Sequence, residues 1–181
     1  MTGETMRRIM RSVGGPPAVA RASGFPYMPY LLVILAALLI PSCVAAQTAH
    51  KGAVLMNTTL AITSVLSAQQ DAWNRHDLDA FMTGYWNSPE LTFFSGAKEQ
   101  HGWQATLDRY RATYTSPGHE MGKLEFSDLR IEILGTDAAF VRGAWRLTMS
   151  DGKTPHGVFT LVFRRFPEGW KIVHDHTSAA E

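Results

Sequence analysis

At 181 residues, the chain is long enough for one domain with a real core. With 45% apolar and 18% charged residues, its composition excludes disordered and collagen-like classes. A formal net charge of +1 offers little attraction for nucleic acid, and a single cysteine excludes a disulfide framework.

The front end departs from this average. Arg7, Arg8, Arg11 and Arg21 precede the apolar run YLLVILAALLI at residues 30–40, and PSCVAAQ follows. A basic region, an apolar stretch of about 7–15 residues and small residues at a cleavage site form the pattern of a secretory signal peptide. Val44 and Ala46 fill the small positions, so cleavage is expected after Ala46, with a periplasmic or secreted product. Pro41 cuts the run short of the roughly 20 apolar residues that a spanning helix needs. Ile40-Pro41-Ser42-Cys43 leaves open a lipoprotein signal ending before Cys43, with lipid anchoring there; otherwise no membrane association is expected. Met6 and Met10 are alternative starts. Removing residues 1–46 takes away four arginines, one glutamate and Cys43, which leaves 135 residues and a net charge of −2. Residues 47–56 then read as a short linker and 57–181 as the domain.

From Met56 to Asn74 the apolar spacing is helical, with Ile62, Leu66, Gln69 and Trp73 on one face. NRHDLDAF breaks the run. Asp77 suits the cap of a second short helix carrying Leu78, Phe81, Met82 and Tyr85, which Ser88-Pro89 ends. LTFFSG reads as a short strand closed by Gly96. A third helix follows Gly102, with Trp103, Leu107, Tyr110 and Tyr114 in one stripe, and Ser116-Pro117-Gly118 stops it.

The remainder reads as strands. KLEFSDLRIEIL alternates, with a phase shift between Phe126 and Leu129 that marks a bulge. AAFVRGAWRLTM and HGVFTLVFRRF are joined by SDGKTP, and GWKIVHDHTS follows Pro167-Glu168-Gly169. Turn signals between alternating runs predict an antiparallel meander. Three helices followed by strands give an α+β domain with the helices on one face of a curved sheet.

The stretches AWNRHDLDAFMTGY, TDAAFVRGAWRLT and FRRFPEGWKIVHDHTS, in this order, resemble the nuclear transport factor 2-like superfamily. Within it, the chain is most similar to bacterial SnoaL-like proteins of the domain of unknown function 4440 type. These are relatives of the association domain of calcium/calmodulin-dependent protein kinase. The resemblance covers residues 58–178. It implies a cone-shaped fold, a strongly bent antiparallel sheet around a pocket, and a homodimer. It does not imply one activity, because the superfamily holds isomerases, dehydratases, cyclases, binding proteins and assembly modules.

If SDGKTP turns between Gly152 and Lys153, Arg146 opposes Phe159 and Arg142 opposes Phe163. If the last hairpin centres on Glu168, Leu161 opposes Asp175 and Phe159 opposes Thr177. One face then carries Arg142, Ala144, Arg146, Phe159, Leu161, Phe163, Val173, Asp175 and Thr177. The other carries Val141, Gly143, Trp145, Thr160, Val162, Ile172, His174 and His176. The resemblance selects the pocket side: WRLT matches a kinase association-domain stretch whose arginine faces the cavity, which transfers that role to Arg146. That domain's other cavity arginines fall on Leu161 and Thr177.

The candidate site is therefore Asp175 as acid or base, lined by Arg146, Arg142, Gln69, Trp73, Tyr110 and Phe159. An Arg146–Asp175 ion pair that props the sheet open is the competing account of those two residues. Gln69 suits either a ligand contact or a buried amide bonded to backbone. Trp73, Tyr110 and Tyr114 suit core packing or a ligand platform. The pair His174 and His176 lacks a third ligand in reach, since His156 falls opposite Ala180, about 13 Å along the strand from His176. No metal and no cofactor are expected. The face with Trp145, His174 and His176 is expected to form the dimer interface.

The resemblance also weighs against ketosteroid-isomerase chemistry, because the positions of its base and two oxyanion donors match Ser95, Gln69 and Leu161 here. Two functions remain: an exported small-molecule-binding protein, with or without isomerase, cyclase or dehydratase activity, and a non-catalytic dimerisation module with a vestigial pocket.

Overall fold

The computed structural model describes the backbone of residues 28–180 and the side chains of residues 47–180. By its contacts the chain divides into units 1–45 and 46–181, and only the second is described below. The signal-peptide assignment for residues 1–46 lies wholly outside the residues with described side chains. Among the described residues, no helix is long and apolar enough to cross a membrane.

Helix α1 (Met28–Asn74) contains the whole of residues 47–56, which therefore form helix rather than linker. QTAHKGAVLM has no proline, and Gly52 alone weakens it by about 1 kcal/mol, so nothing stops a helix begun upstream. Ile62, Leu66, Gln69 and Trp73 are buried together, as their spacing predicts. His76, with φ of 61°, turns the chain out of the helix. Asp77 then accepts the Ala80 N–H at 2.9 Å and caps α2 (Leu78–Met82). This helix ends before Tyr85, which instead bridges to Ile172 of the sheet.

β1 (Thr92–Ser95) turns at Gly96 into β2 (Lys98–His101), a polar strand whose sequence carries no apolar alternation and which the sequence reading missed. α3 (Trp103–Tyr114) follows Gly102 as predicted. β3 (Lys123–Ile133), β4 (Ala138–Thr148), β5 (His156–Phe166) and β6 (Gly169–Ala179) form the antiparallel meander. The six strands lie in the order β2-β1-β6-β5-β4-β3, with β1 parallel to β6, so the sheet is curled but not closed.

Polar side chains of α1 cover the free edge at β3. Asn74 donates to the Leu124 carbonyl at 3.0 Å and accepts the Leu124 N–H at 2.7 Å. Gln70 accepts the Phe126 N–H at 2.7 Å. Asn74 thus substitutes for a neighbouring strand. Asn74→Ala is expected to lower stability by about 1–2 kcal/mol, and Tm by roughly 4–7 °C, in a thermal melt.

Two irregularities and one turn set the faces. The bulge predicted near Phe126 is present, with the register shifting between Ser127 and Arg130 and Asp128 at φ of 54°. A second shift was not foreseen: Val162 pairs with His174 but Phe163 pairs with Ile172, which leaves Val173 as the extra residue. It lets Ile172 and Asp175, three apart, both point inward, where an unbroken strand would oppose them. Ile172 is buried accordingly, contrary to its assignment to the outer face.

The β4–β5 turn is the larger correction. Met149 N–H donates to the Lys153 carbonyl, so the turn centres on Asp151 and Arg146 pairs with His156 rather than Phe159. Arg142 likewise pairs with Thr160 rather than Phe163. The three-residue difference is odd, so every β4 side chain changes face. Val141 and Leu147 are buried in the core, while Arg142 and Arg146 are exposed on the other side. Trp145 goes inward and does not share a face with His174 and His176.

Candidate active site

The helices and the inner face of the sheet enclose a cavity of about 190 Å³. That is room for about six waters at roughly 30 Å³ each, or for one small organic molecule. Its walls are aromatic. Trp73 of α1 meets Phe81 of α2 edge-on at 5.3 Å, and Tyr110 and Tyr114 of α3 at 6.0 and 4.8 Å. Phe159 and Trp145 line it from β5 and β4.

Asp175, only 3% exposed, is the cavity's acidic group. Tyr85 donates its phenolic O–H to Oδ2 at 2.7 Å, and Thr177 donates its hydroxyl to Oδ1 at 2.7 Å. Each carboxylate oxygen keeps a further acceptor site. Burial pushes the carboxyl up from its usual 3.8 to about 6, against the opposing effect of both hydrogen bonds and of nearby His176. The Tyr110 hydroxyl lies 3.4 Å from that of Tyr85. Burial first, and then the charge of Asp175, raise both phenols well above their ordinary range, so both remain protonated.

The turn after α2 is what brings Tyr85 to this carboxyl. Gln69 donates to the Phe81 carbonyl at 3.1 Å. It also packs so tightly on Gly84 that a Cβ there would approach Gln69 Cδ to 2.6 Å. Gln69 therefore holds the segment that carries Tyr85, while still lining the cavity.

Of the residues singled out in the sequence, Asp175, Gln69, Trp73, Tyr110 and Phe159 line one cavity; Arg146 and Arg142 do not. Arg142 instead lies over the Phe140 ring at 5.9 Å, and no Arg146–Asp175 ion pair forms. The cavity's cation is Arg109 of α3, half-buried over the Phe93 ring at 5.3 Å. Tyr85 and Arg109 were both missed. Arg109 had a signal: Thr106, Arg109 and Thr113 run beside the aromatic stripe at helical spacing. Tyr85 had none, because only its bridge to Ile172 places it.

His174 and His176 face away from the cavity, with Phe94 packed against both rings at 5.5 and 5.8 Å. Thr92 Oγ1 lies 2.7 Å from His174 Nδ1, and burial followed by His176 pushes His174 below its usual value.

Comparison with known proteins agrees with this architecture. A family model described as the SnoaL-like domain matches residues 45–181. A nuclear transport factor 2-like protein of unknown function from Shewanella oneidensis MR-1 is 40% identical; the match covers 66% of this chain and 98% of that one, with a TM-score of 0.62. A protein from Thiobacillus denitrificans, named as a candidate calcium/calmodulin-dependent protein kinase type II association domain, is 22% identical, covering 66% and 94%, with a TM-score of 0.56. One from Novosphingobium aromaticivorans, named as a candidate aromatic ring hydroxylase, is 18% identical, covering 70% and 91%, with a TM-score of 0.58. No curated protein matches the chain. The matched span and the helix-covered bent sheet together show that the chain belongs to the SnoaL-like family of the nuclear transport factor 2-like superfamily.

Proposed function

We propose that the protein is a proton-transfer enzyme for a small, largely apolar molecule, with Asp175 as general base and acid. One observation carries this reading: a carboxyl at the wall of an aromatic cavity, buried enough to titrate near neutrality and aimed by Tyr85 and Thr177. A base is most effective when its pKa lies near the working pH. Tyr110, held neutral beside Tyr85, keeps a hydroxyl proton that can be donated to an oxygen on which negative charge develops, while the Tyr85 proton is taken by Asp175. The ketosteroid-isomerase positions Ser95, Gln69 and Leu161 do line the cavity, so this chain builds its acid–base group from a different strand.

A general carbon acid tests the reading without knowledge of the natural substrate. In 5-nitrobenzisoxazole, the Asp175 carboxylate would take the C3 proton as the N–O bond breaks. The electron pair leaves on the phenolate oxygen and a nitrile forms. The rate is expected to rise with pH to a plateau, half-maximal near pH 6. Asp175→Asn should lose about a hundredfold of it. A vestigial cavity in an assembly module predicts no rate above that of free carboxylate, and such a result, or an unaffected Asp175→Asn, would sink the proposal.

A further inference from the structure

Arg109 is the one basic side chain among the residues lining the cavity, and it is left without an anionic partner. Among the described residues, no carboxylate lies within 4.0 Å of it, and its guanidinium makes no side-chain hydrogen bond. The contrast with Arg111, two residues on, is direct: that guanidinium is doubly bonded to Asp79 at 2.8 and 3.1 Å, out on the surface. The guanidinium carbon of Arg109 lies over the Phe93 ring at 5.3 Å, a contact that uses none of its N–H donors. That fork fits a carboxylate in a bidentate pair.

We propose that the cavity takes a small aromatic monocarboxylate, whose carboxylate is bound by Arg109 at the half-exposed rim and whose ring lies among Trp73, Tyr110 and Phe159. The class follows from three observations together. The cavity supplies one unpaired cation, its walls favour a planar apolar body, and its volume of about 190 Å³ admits roughly one ring with a short substituent. Charge placement agrees: the acid–base carboxyl is buried and bound by two hydroxyls, and it forms no ion pair with Arg109. Arg109 is thus a specificity-determining residue. This assignment rests on the proton-transfer reading and deepens it.

Benzoate and benzamide, nearly equal in shape but differing in charge, are the probes, titrated calorimetrically against the full chain. Benzoate is expected to bind at least tenfold more tightly than benzamide. Arg109→Gln should abolish the preference, so that benzoate and benzamide bind within about twofold of each other, and Arg109→Lys should keep part of it. Equal binding of the two probes to the unaltered protein, binding of neither, or a preference that survives Arg109→Gln would each overturn the assignment. The comparison on the unaltered protein decides even where a variant folds poorly. Failure of the two readings is distinguishable. An Asp175-dependent elimination rate without a benzoate preference removes only the carboxylate assignment. A benzoate preference without that rate removes only the acid–base role.

Discussion

Asp175→Asn is expected to gain stability relative to the unaltered protein by about 3 kcal/mol between pH 4 and pH 7, at roughly 1.4 kcal/mol per pKa unit. The sign follows from proton linkage. In the unfolded chain the carboxyl titrates near 3.9, and in the fold at about 6, so the folded state holds the proton more tightly. The favourable contribution of the protonated group is complete below pH 4. It is lost as the pH rises to 6, above which the fold carries a buried charge. Asparagine has no such titration. Taking the difference between the two proteins cancels the other titrating groups, including His174. For the compact unit 46–181 the change corresponds to about 10 °C in Tm, so melts at pH 4.5, 5.5, 6.5 and 7.5 resolve it easily. At any single pH the variant also loses an acceptor for Tyr85 or Thr177, so the slope is the informative quantity. A difference that does not vary with pH would mean that Asp175 is solvated, and the acid–base assignment would go with it.

That such a carboxyl exists was legible in the sequence, but for a partly fortunate reason. Centring the last hairpin on Glu168 gives the Leu161–Asp175 pair that is found. The actual turn is tighter, with Phe166 opposite Gly169, and the Val173 bulge restores the register farther along the strands. Element identity was readable because period and punctuation agree. Asp77 caps α2, Gly102 opens α3, and the phase shift near Phe126 is a real bulge. Register in β4 was not readable. SDGKTP holds a glycine, a proline and an aspartate that each suit a turn, and only the Met149–Lys153 hydrogen bond decides among them. The WRLT match compounded the error, because a four-residue resemblance carries no information about strand parity. The alternation of Val141, Trp145 and Leu147 was the better guide, since those side chains are apolar and the arginines between them are not. Tyr85 lay beyond reach for another reason: local helical spacing assigned it to α2, and a contact with a strand 87 residues later overrides that preference.

Trp73 poses the sharpest question of core against ligand platform, and its contacts favour a core that also forms a wall. Beyond its three aromatic neighbours, its indole N–H is shared between the Met121 and Gly122 carbonyls at 3.1 and 3.2 Å. These carbonyls belong to the segment entering β3, so one side chain ties α1 to the start of the meander and supports α3 from beneath. Trp73→Ala removes the packing and leaves a void that the flanking Phe81, Tyr110 and Tyr114 rings fill only in part. It is expected to cost about 4 kcal/mol, or roughly 14 °C in Tm. Trp73→Phe keeps a ring among the aromatics and loses the indole donor, so about 1–2 kcal/mol is expected. Chemical denaturation of the two variants separates packing from hydrogen bonding. If Trp73→Ala cost less than about 1 kcal/mol, comparable to an ordinary surface change, the indole would be a ligand platform with no structural role. With the larger loss, the walls of the cavity and the core of the domain are one set of side chains. The shape offered to a ligand is then fixed by the packing that holds α1, α3 and β3 together.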